Sequence, residues 1–198
     1  METLEQKVQR VLREEIALAP YNPRWPELFR EEEAHLRACL PPGVIRRIEH
    51  MGSTSVPGLV AKPIIDILIE VSDLEAARTQ IAPILEAQGY DYFWRATFGE
   101  DIPPFYAWFI KRDPHTGART HHLHMITTAP EFAGHWENLL FRDHLIAHPD
   151  VAAEYGKLKL QLADTHRHDR VAYTAAKSAF IARVVDEARE WRGTSASE

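Results

Sequence analysis

A chain of 198 residues that is 45% hydrophobic can bury a substantial core and is too apolar to remain disordered. Its formal charge of −6 argues against a general nucleic-acid binder, which presents a basic surface, while leaving room for a local basic pocket. The single cysteine, Cys39, excludes an intrachain disulfide; no apolar run reaches the roughly 20 residues of a membrane span and no signal-peptide core is visible, so a cytoplasmic protein without a membrane partner is expected.

Leu4, Val8, Val11, Leu12 and Ile16 recur at three- to four-residue spacing and predict a helix over 2–18, stopped by Pro20 and Pro23. A second helix starts near Pro26, a favourable first-turn residue, and ends before Pro41-Pro42-Gly43. Val44 to Glu49 reads as a strand leading into Gly52-Ser53-Thr54-Ser55. Ile64 to Val71 reads as a strand apolar enough to be covered on both faces. Asp73 is a good N-cap for a helix from Leu74 to about Gln88, closed by Gly89. Strands follow at Tyr90–Arg95, Phe105–Arg112 and His121–Thr127, the last two a hairpin around Asp113-Pro114-His115-Thr116-Gly117. Helices are expected over Trp136–Ala147, Pro149–Thr165 and Val171–Trp191. The expectation is one α+β domain over residues 1–192: a small mixed β-sheet packed with helices, a C-terminal helical segment over 135–191, and a disordered tail over 193–198.

The segment from His50 to Glu70 carries the chemistry. It reads as strand, tight glycine–serine turn, short polar segment and a second strand bearing Asp66. A glycine lets backbone approach a phosphate closely, and Ser53, Thr54 and Ser55 offer hydroxyls and amides at an expected helix N-terminus, a natural anion site. Over His50–Asp66 the chain resembles the GrpB family, which looks like a branch of the nucleotidyltransferase superfamily, and it is similar to a domain fused to some bacterial dephospho-CoA kinases. Tyr21-Asn22-Pro23-Arg24-Trp25, His121-His122-Leu123-His124, Phe141-Arg142-Asp143-His144, Tyr155 with Lys159, and Tyr173 with Lys177 extend the resemblance to roughly residues 20–185.

The resemblance implies a nucleotidyltransferase-like fold and a cleft for a nucleotide or other phosphorylated small molecule, with Asp66 and Ser53 as catalytic residues. Gly52, Ser53, Thr54, Ser55, Lys62, Arg142, Lys159, Tyr173 and Lys177 are the expected phosphate or nucleotide contacts. The superfamily sets two acids at i and i+2 of one strand to hold Mg²⁺ or Mn²⁺; here Leu68 follows Asp66, and Glu70 lies about 13 Å away along the strand. Asp66 then holds a metal or ribose, or bonds the glycine–serine turn and fixes its shape. His122 and His124 share one strand face about 6.6 Å apart and, with Asp66, make a set suited to Zn²⁺, Mn²⁺ or Ni²⁺. Alternatively they bond a phosphate or base, or are satisfied polar groups on the sheet. His50 faces the same cleft or contacts backbone; His135 and His144 are expected to be solvated. Tyr173 is placed to stack on a base, bond a phosphate or cap the core. Three readings follow: metal-dependent nucleotidyl transfer, a non-catalytic binding module in which Leu68 marks lost chemistry, and a histidine-centred metal hydrolase.

Overall fold

The computed structural model describes residues 3–13, 15–97 and 103–195. Its centre is a five-stranded mixed sheet, so the α+β expectation is borne out. Strands β1 (Ile45–Met51), β2 (Ile65–Val71), β3 (Asp91–Ala96), β4 (Phe105–Arg112) and β5 (Arg119–Ile126) lie in the order β1-β2-β5-β4-β3. All neighbours are antiparallel except β2 and β5, which run parallel with Asp66 opposite His122 and Leu68 opposite His124.

The sheet has two unlike faces, because side chains alternate along each strand. On one, Ile65, Ile67 and Ile69 of β2 join Leu123, Met125 and Phe109 in the main core. Helix α2 (Trp25–Cys39) covers this face with Trp25 and Leu36. So does the helical run α3 (Leu74–Ala76), π-turn (Ala77–Ile81) and α4 (Ala82–Glu86), whose Asp73 caps the Ala76 amide. Sequence periodicity gives this run as one regular helix. Pro83 has no amide hydrogen and its ring crowds the carbonyl four residues back, and the backbone widens to a π-turn just before it. On the other face Leu68, Trp108, Ile110 and Ile126 meet Phe132 and Leu139.

Four C-terminal helices complete the fold: α5 (Ala133–Ala147), α6 (Pro149–Thr165), α7 (Arg170–Ala176) and α8 (Ser178–Ser195). Val56 and Leu59, from the segment after β1, pack with Phe141, Leu145, Tyr155 and Val184 of these helices. That third cluster fixes the helical wall over the end of the sheet where the glycine–serine turn lies.

Three expectations are corrected. The N-terminal helix α1 is Leu4–Arg13, not 2–18; Glu2 and Glu14 lie outside the described residues. Ile16 is buried in extended chain, where its amide donates to the Arg167 carbonyl, and Ala19 pairs with Ala61. The Val171–Trp191 helix is two helices separated at Lys177. The tail expected to be disordered from Gly193 is helical to Ser195; residues 196–198 lie outside the described residues.

Candidate functional site

The turn after β1 is built around a glycine that cannot be replaced without strain. Gly52 has φ 75°, a left-handed value open to glycine, and a Cβ there would stand 2.7 Å from Asp66 Oδ2. The close approach is therefore to Asp66 of the neighbouring strand. Ser53–Ser55 form a single 3₁₀ turn, not the start of an α-helix as expected. The Ser55 hydroxyl donates to the Gly52 carbonyl at 2.5 Å, so it braces the turn and does not line the cavity. Thr54 is buried; its hydroxyl donates to the Ile64 carbonyl at 3.3 Å and accepts from His50 Nε2 at 2.9 Å. His50 stacks on Phe29 of α2. It is thus on the face away from the cleft, the first of the two placements considered for it being excluded, because it pairs with Ile67 and shares that residue's side.

A cavity of about 220 Å³ opens beside this turn. Its sheet side is made by Gly52, Ser53, Thr54, Lys62, Asp66 and His122. Its helical side is made by Arg142 of α5, Tyr155 and Lys159 of α6, and Arg170, Tyr173 and Lys177 at α7. Of the residues expected to contact phosphate, all but Ser55 meet at this cavity.

The cationic groups are not equivalent. Arg142 donates to Glu49 Oε2 at 3.0 Å, to Asp143 Oδ1 at 2.8 Å and to the His50 carbonyl at 2.9 Å. It clamps α5 to β1, with its charge matched. The lysines are held differently. Lys159 is 2% exposed, donates its Nζ to the Val60 carbonyl and lies 4.8 Å from the Tyr155 ring centroid. Lys177 and Lys62 lie 4.4 and 5.5 Å from the Tyr173 ring centroid. Desolvation, joined by repulsion from Arg170, Lys177 and Arg119, pulls Lys62 down to about 7 despite the pull of Asp66. Desolvation with repulsion from Lys177 and Lys62 takes Lys159 to about 7 as well. Lys177 is lowered to about 8, again by desolvation first, with Asp66 opposing and Arg170 assisting. These amines are crowded together with little solvent, which weakens their hold on protons until an anion joins them.

Tyr173 is 1% exposed with lysines over its ring, and Tyr155 stacks on Phe180. Neither offers a face to a base, so the stacking role considered for Tyr173 is not available in this arrangement.

Asp66 Oδ1 accepts from His122 Nδ1 at 2.9 Å. Burial raises the Asp66 carboxyl, but the His122 bond and the nearby His122, His124 and Lys62 outweigh it and hold it at about 2. Burial lowers His122 against the pull of Asp66, so the ring is neutral, gives its Nδ1 hydrogen to the carboxylate, and leaves the Nε2 lone pair buried without a partner. His124 stands one row further along β5, outside the cavity lining, with Nδ1 3.3 Å from the Tyr106 hydroxyl. Ligand atoms of Asp66, His122 and His124 all lie within 4.8 Å of one another. Two imidazoles, one carboxylate and an orphaned ring nitrogen suit Zn²⁺, Mn²⁺ or Ni²⁺; the two-carboxylate set for Mg²⁺ is missing, because Leu68 is 0% exposed in the core.

The family described as "GrpB protein" matches residues 15–187. The chain belongs to the GrpB family. The UPF0157 protein YqkA of Bacillus subtilis is 39% identical over 87% of this chain, which spans only 47% of that relative's length. A crystal structure of the conserved protein GrpB from Enterococcus faecalis superposes with a TM-score of 0.73 at 34% identity, covering 88% of this chain and 99% of that one. A dephospho-CoA kinase of Mycolicibacterium paratuberculosis is 28% identical over 92% of this chain and 48% of that protein. The resemblance stated on the glycine–serine motif therefore holds at the level of the family.

Sequence reasoning missed one residue of the cavity lining and misjudged two histidines elsewhere in the GrpB chain. Arg170 lines the cavity but sits in a polar run, His166-Arg167-His168-Asp169-Arg170, with no periodicity to mark it. His135 was expected to be solvated; its ring packs edge-on to Tyr106 at 4.8 Å and burial, with Arg95 nearby, lowers it to about 4. His144, also expected to be solvated, is buried and stacks on His148 at 4.0 Å. Among the described residues no helix is long and apolar enough to cross a membrane.

Proposed function

We propose that this GrpB family member binds a nucleotide or other phosphorylated small molecule in the cavity beside Gly52, and that its reaction is nucleotidyl transfer assisted by a divalent cation at Asp66. One observation carries the reading: a glycine–serine turn, an acid–imidazole pair and the crowded Lys62, Lys159 and Lys177 converge on one cavity in a chain of net negative charge. Ser53 and the backbone beside Gly52 are placed to receive phosphate oxygens. Lys62 and Lys177 neutralise them, and Lys159 sets the field behind them from its anchor on Val60. Arg142 keeps the wall in position. Asp66, His122 and His124 would hold the cation, which supplies charge screening and orientation at the phosphate.

Leu68 favours a second reading, a binding module without turnover. A buried leucine stands where the superfamily's second acid would be. Incubation with each nucleoside triphosphate and Mn²⁺ or Zn²⁺, scored for pyrophosphate release and for ligand-induced thermal stabilisation, separates the two. Stabilisation by about 2.7 kcal/mol at a hundredfold excess over Kd with pyrophosphate release supports transfer. Stabilisation without release selects the binding module. Neither effect removes both readings.

A further inference from the structure

Three lysines line the cavity, and they are not tied down equally. Lys159 donates its Nζ to the Val60 carbonyl. Among the described residues the amines of Lys62 and Lys177 have no hydrogen bond or ion pair; each lies over the ring of Tyr173, at 5.5 and 4.4 Å from its centroid. Lys62 is half-buried, so its amine meets the cavity more than bulk water. Brought down to about 7, it is about half neutral at neutral pH, and the neutral amine is the nucleophilic form. At that amine the repulsion from Lys177 exceeds the pull of Asp66, so the surroundings favour a negative charge there over a positive one. The cavity is also short of carboxylate. Asp66 is its one acid among the described residues and already accepts from His122, while Leu68 lies in the core where a second acid would stand.

We propose that Lys62 is a carbamylation site, whose ε-amine takes up dissolved CO₂ and becomes a carbamate held by the neighbouring ammonium groups of Lys159 and Lys177. The nitrogen lone pair forms the new N–C bond, one C–O π pair moves onto oxygen, and the proton leaving nitrogen goes to solvent. Amine and CO₂ thus give carbamate and one proton, with nothing oxidised or reduced. A cation that its neighbours repel becomes an anion with two acceptor oxygens, and Lys177 gains the partner it lacks. The carbamate also brings into the cavity the second carboxylate that position 68 withholds. Carbamylation needs no phosphate ligand; the two draw on the same lysines and compete.

The full chain is equilibrated with ¹³C-labelled bicarbonate near neutral pH, treated with triethyloxonium to trap carbamates as esters, and mapped by peptide mass spectrometry. The label is expected on Lys62, with about tenfold less or lower on the exposed Lys157, whose amine keeps its proton. Lys177→Met should lower the Lys62 label about tenfold, the scale of one charge-assisted contact, and inorganic phosphate should lower it in the parent chain. Lys62→Arg should abolish the carbamate signal in ¹³C NMR. If either variant fails to fold by circular dichroism, the peptide map of the parent chain decides. No label in the folded parent, or label confined to exposed lysines and the α-amino group, overturns the carbamate and leaves the phosphate reading intact. Label on Lys159 or Lys177 with none on Lys62 overturns the assignment. Label on Lys62 with no thermal shift from phosphate or any nucleotide keeps the carbamate and removes the phosphate reading.

Discussion

Strand β2 faces two environments, and its alternate residues show what each demands. Ile65, Ile67 and Ile69 point into the main core and are at most 1% exposed. One residue along, Asp66 points the other way, 32% exposed at its side chain and bonded to His122. The isoleucines need only volume and dryness, and each fully buried one contributes about 1.5–3 kcal/mol by leaving water. Asp66 and the cations across the cavity hold charge where solvation is poor, so the end of that face next to Gly52 is bound by pairing and crowds its lysines, while Leu68 further along joins a second apolar cluster. Both faces bury apolar residues, but the capacity to bind an anion comes from the end of the second face at Asp66, where charge replaces the packing that Leu68 keeps two residues further on.

The largest effect should come from the main-core face. Ile67→Ala is expected to cost about 3–4 kcal/mol, through lost transfer energy plus the cavity left in a fully packed site. Urea unfolding with an unchanged m-value would show it. Anion affinity, measured where the variant is still folded, should barely move. A loss below about 1 kcal/mol would mean the two faces are not so different.

Gly52→Ala touches the junction between the regions and should fail in both respects. The positive φ and the 2.7 Å approach to Asp66 Oδ2 are expected to cost about 1–3 kcal/mol in stability. Relief of the clash must push Asp66 away from His122, so anion and metal binding should fall together. A Gly52→Ala protein that melts like the parent and binds normally would show that the turn is not held by this packing. Asp66→Asn is gentler, since the amide oxygen still accepts from His122 Nδ1. A stability change of about 1 kcal/mol is expected, with complete loss of the thermal shift produced by Zn²⁺. Zn²⁺ stabilisation that survives Asp66→Asn would move the cation elsewhere.

These residues were also the ones the sequence announced, and the reason is local. A turn glycine, a strand acid and a His-x-His pair are fixed by period-two alternation and by the few residues beside them, so Gly52, Asp66 and His122 could be placed before any fold was known. The helical wall was harder. Arg170 and Lys177 reach the cavity only because α7 and α8 break at Lys177, and that break lies where the apolar spacing reads as one helix through Trp191. Ile16 misled in the same way: its spacing fits a helix, yet its tertiary bond to Arg167 holds it in extended chain. His144 and His135 looked polar and exposed, but aromatic neighbours from distant segments, Trp191 and Tyr106, pack against their rings, burying His144 and half-burying His135.

The smallest effect is the one that tests the comparison most directly. Lys62 and Lys159 fall to about 7 and Lys177 to about 8 in the folded chain, against 10.5 as their ordinary value. Below about pH 7 folded and unfolded chains both hold these protons, and stability is flat through them. Between about 7 and 10.5 the unfolded chain binds protons that the folded one has released, so ligand-free stability should rise with pH. His50 and His135, held by burial near 4, add a rise in the same direction between about 4 and 6.5. Anion affinity should run the opposite way and fall as pH passes through 7 to 8, because only the ammonium forms draw phosphate in. Lys177→Met removes one of the crowded cations. It is expected to raise ligand-free stability near pH 7 by up to about 1 kcal/mol and to flatten the rise with pH, while weakening anion binding about tenfold. Thermal melts of both proteins at pH 6, 7, 8 and 9, with and without tripolyphosphate, give all three quantities. A Lys177→Met chain that is less stable at every pH would mean that its stacking on Tyr173 outweighs the repulsion, and that the cavity is not a strained surface waiting for an anion.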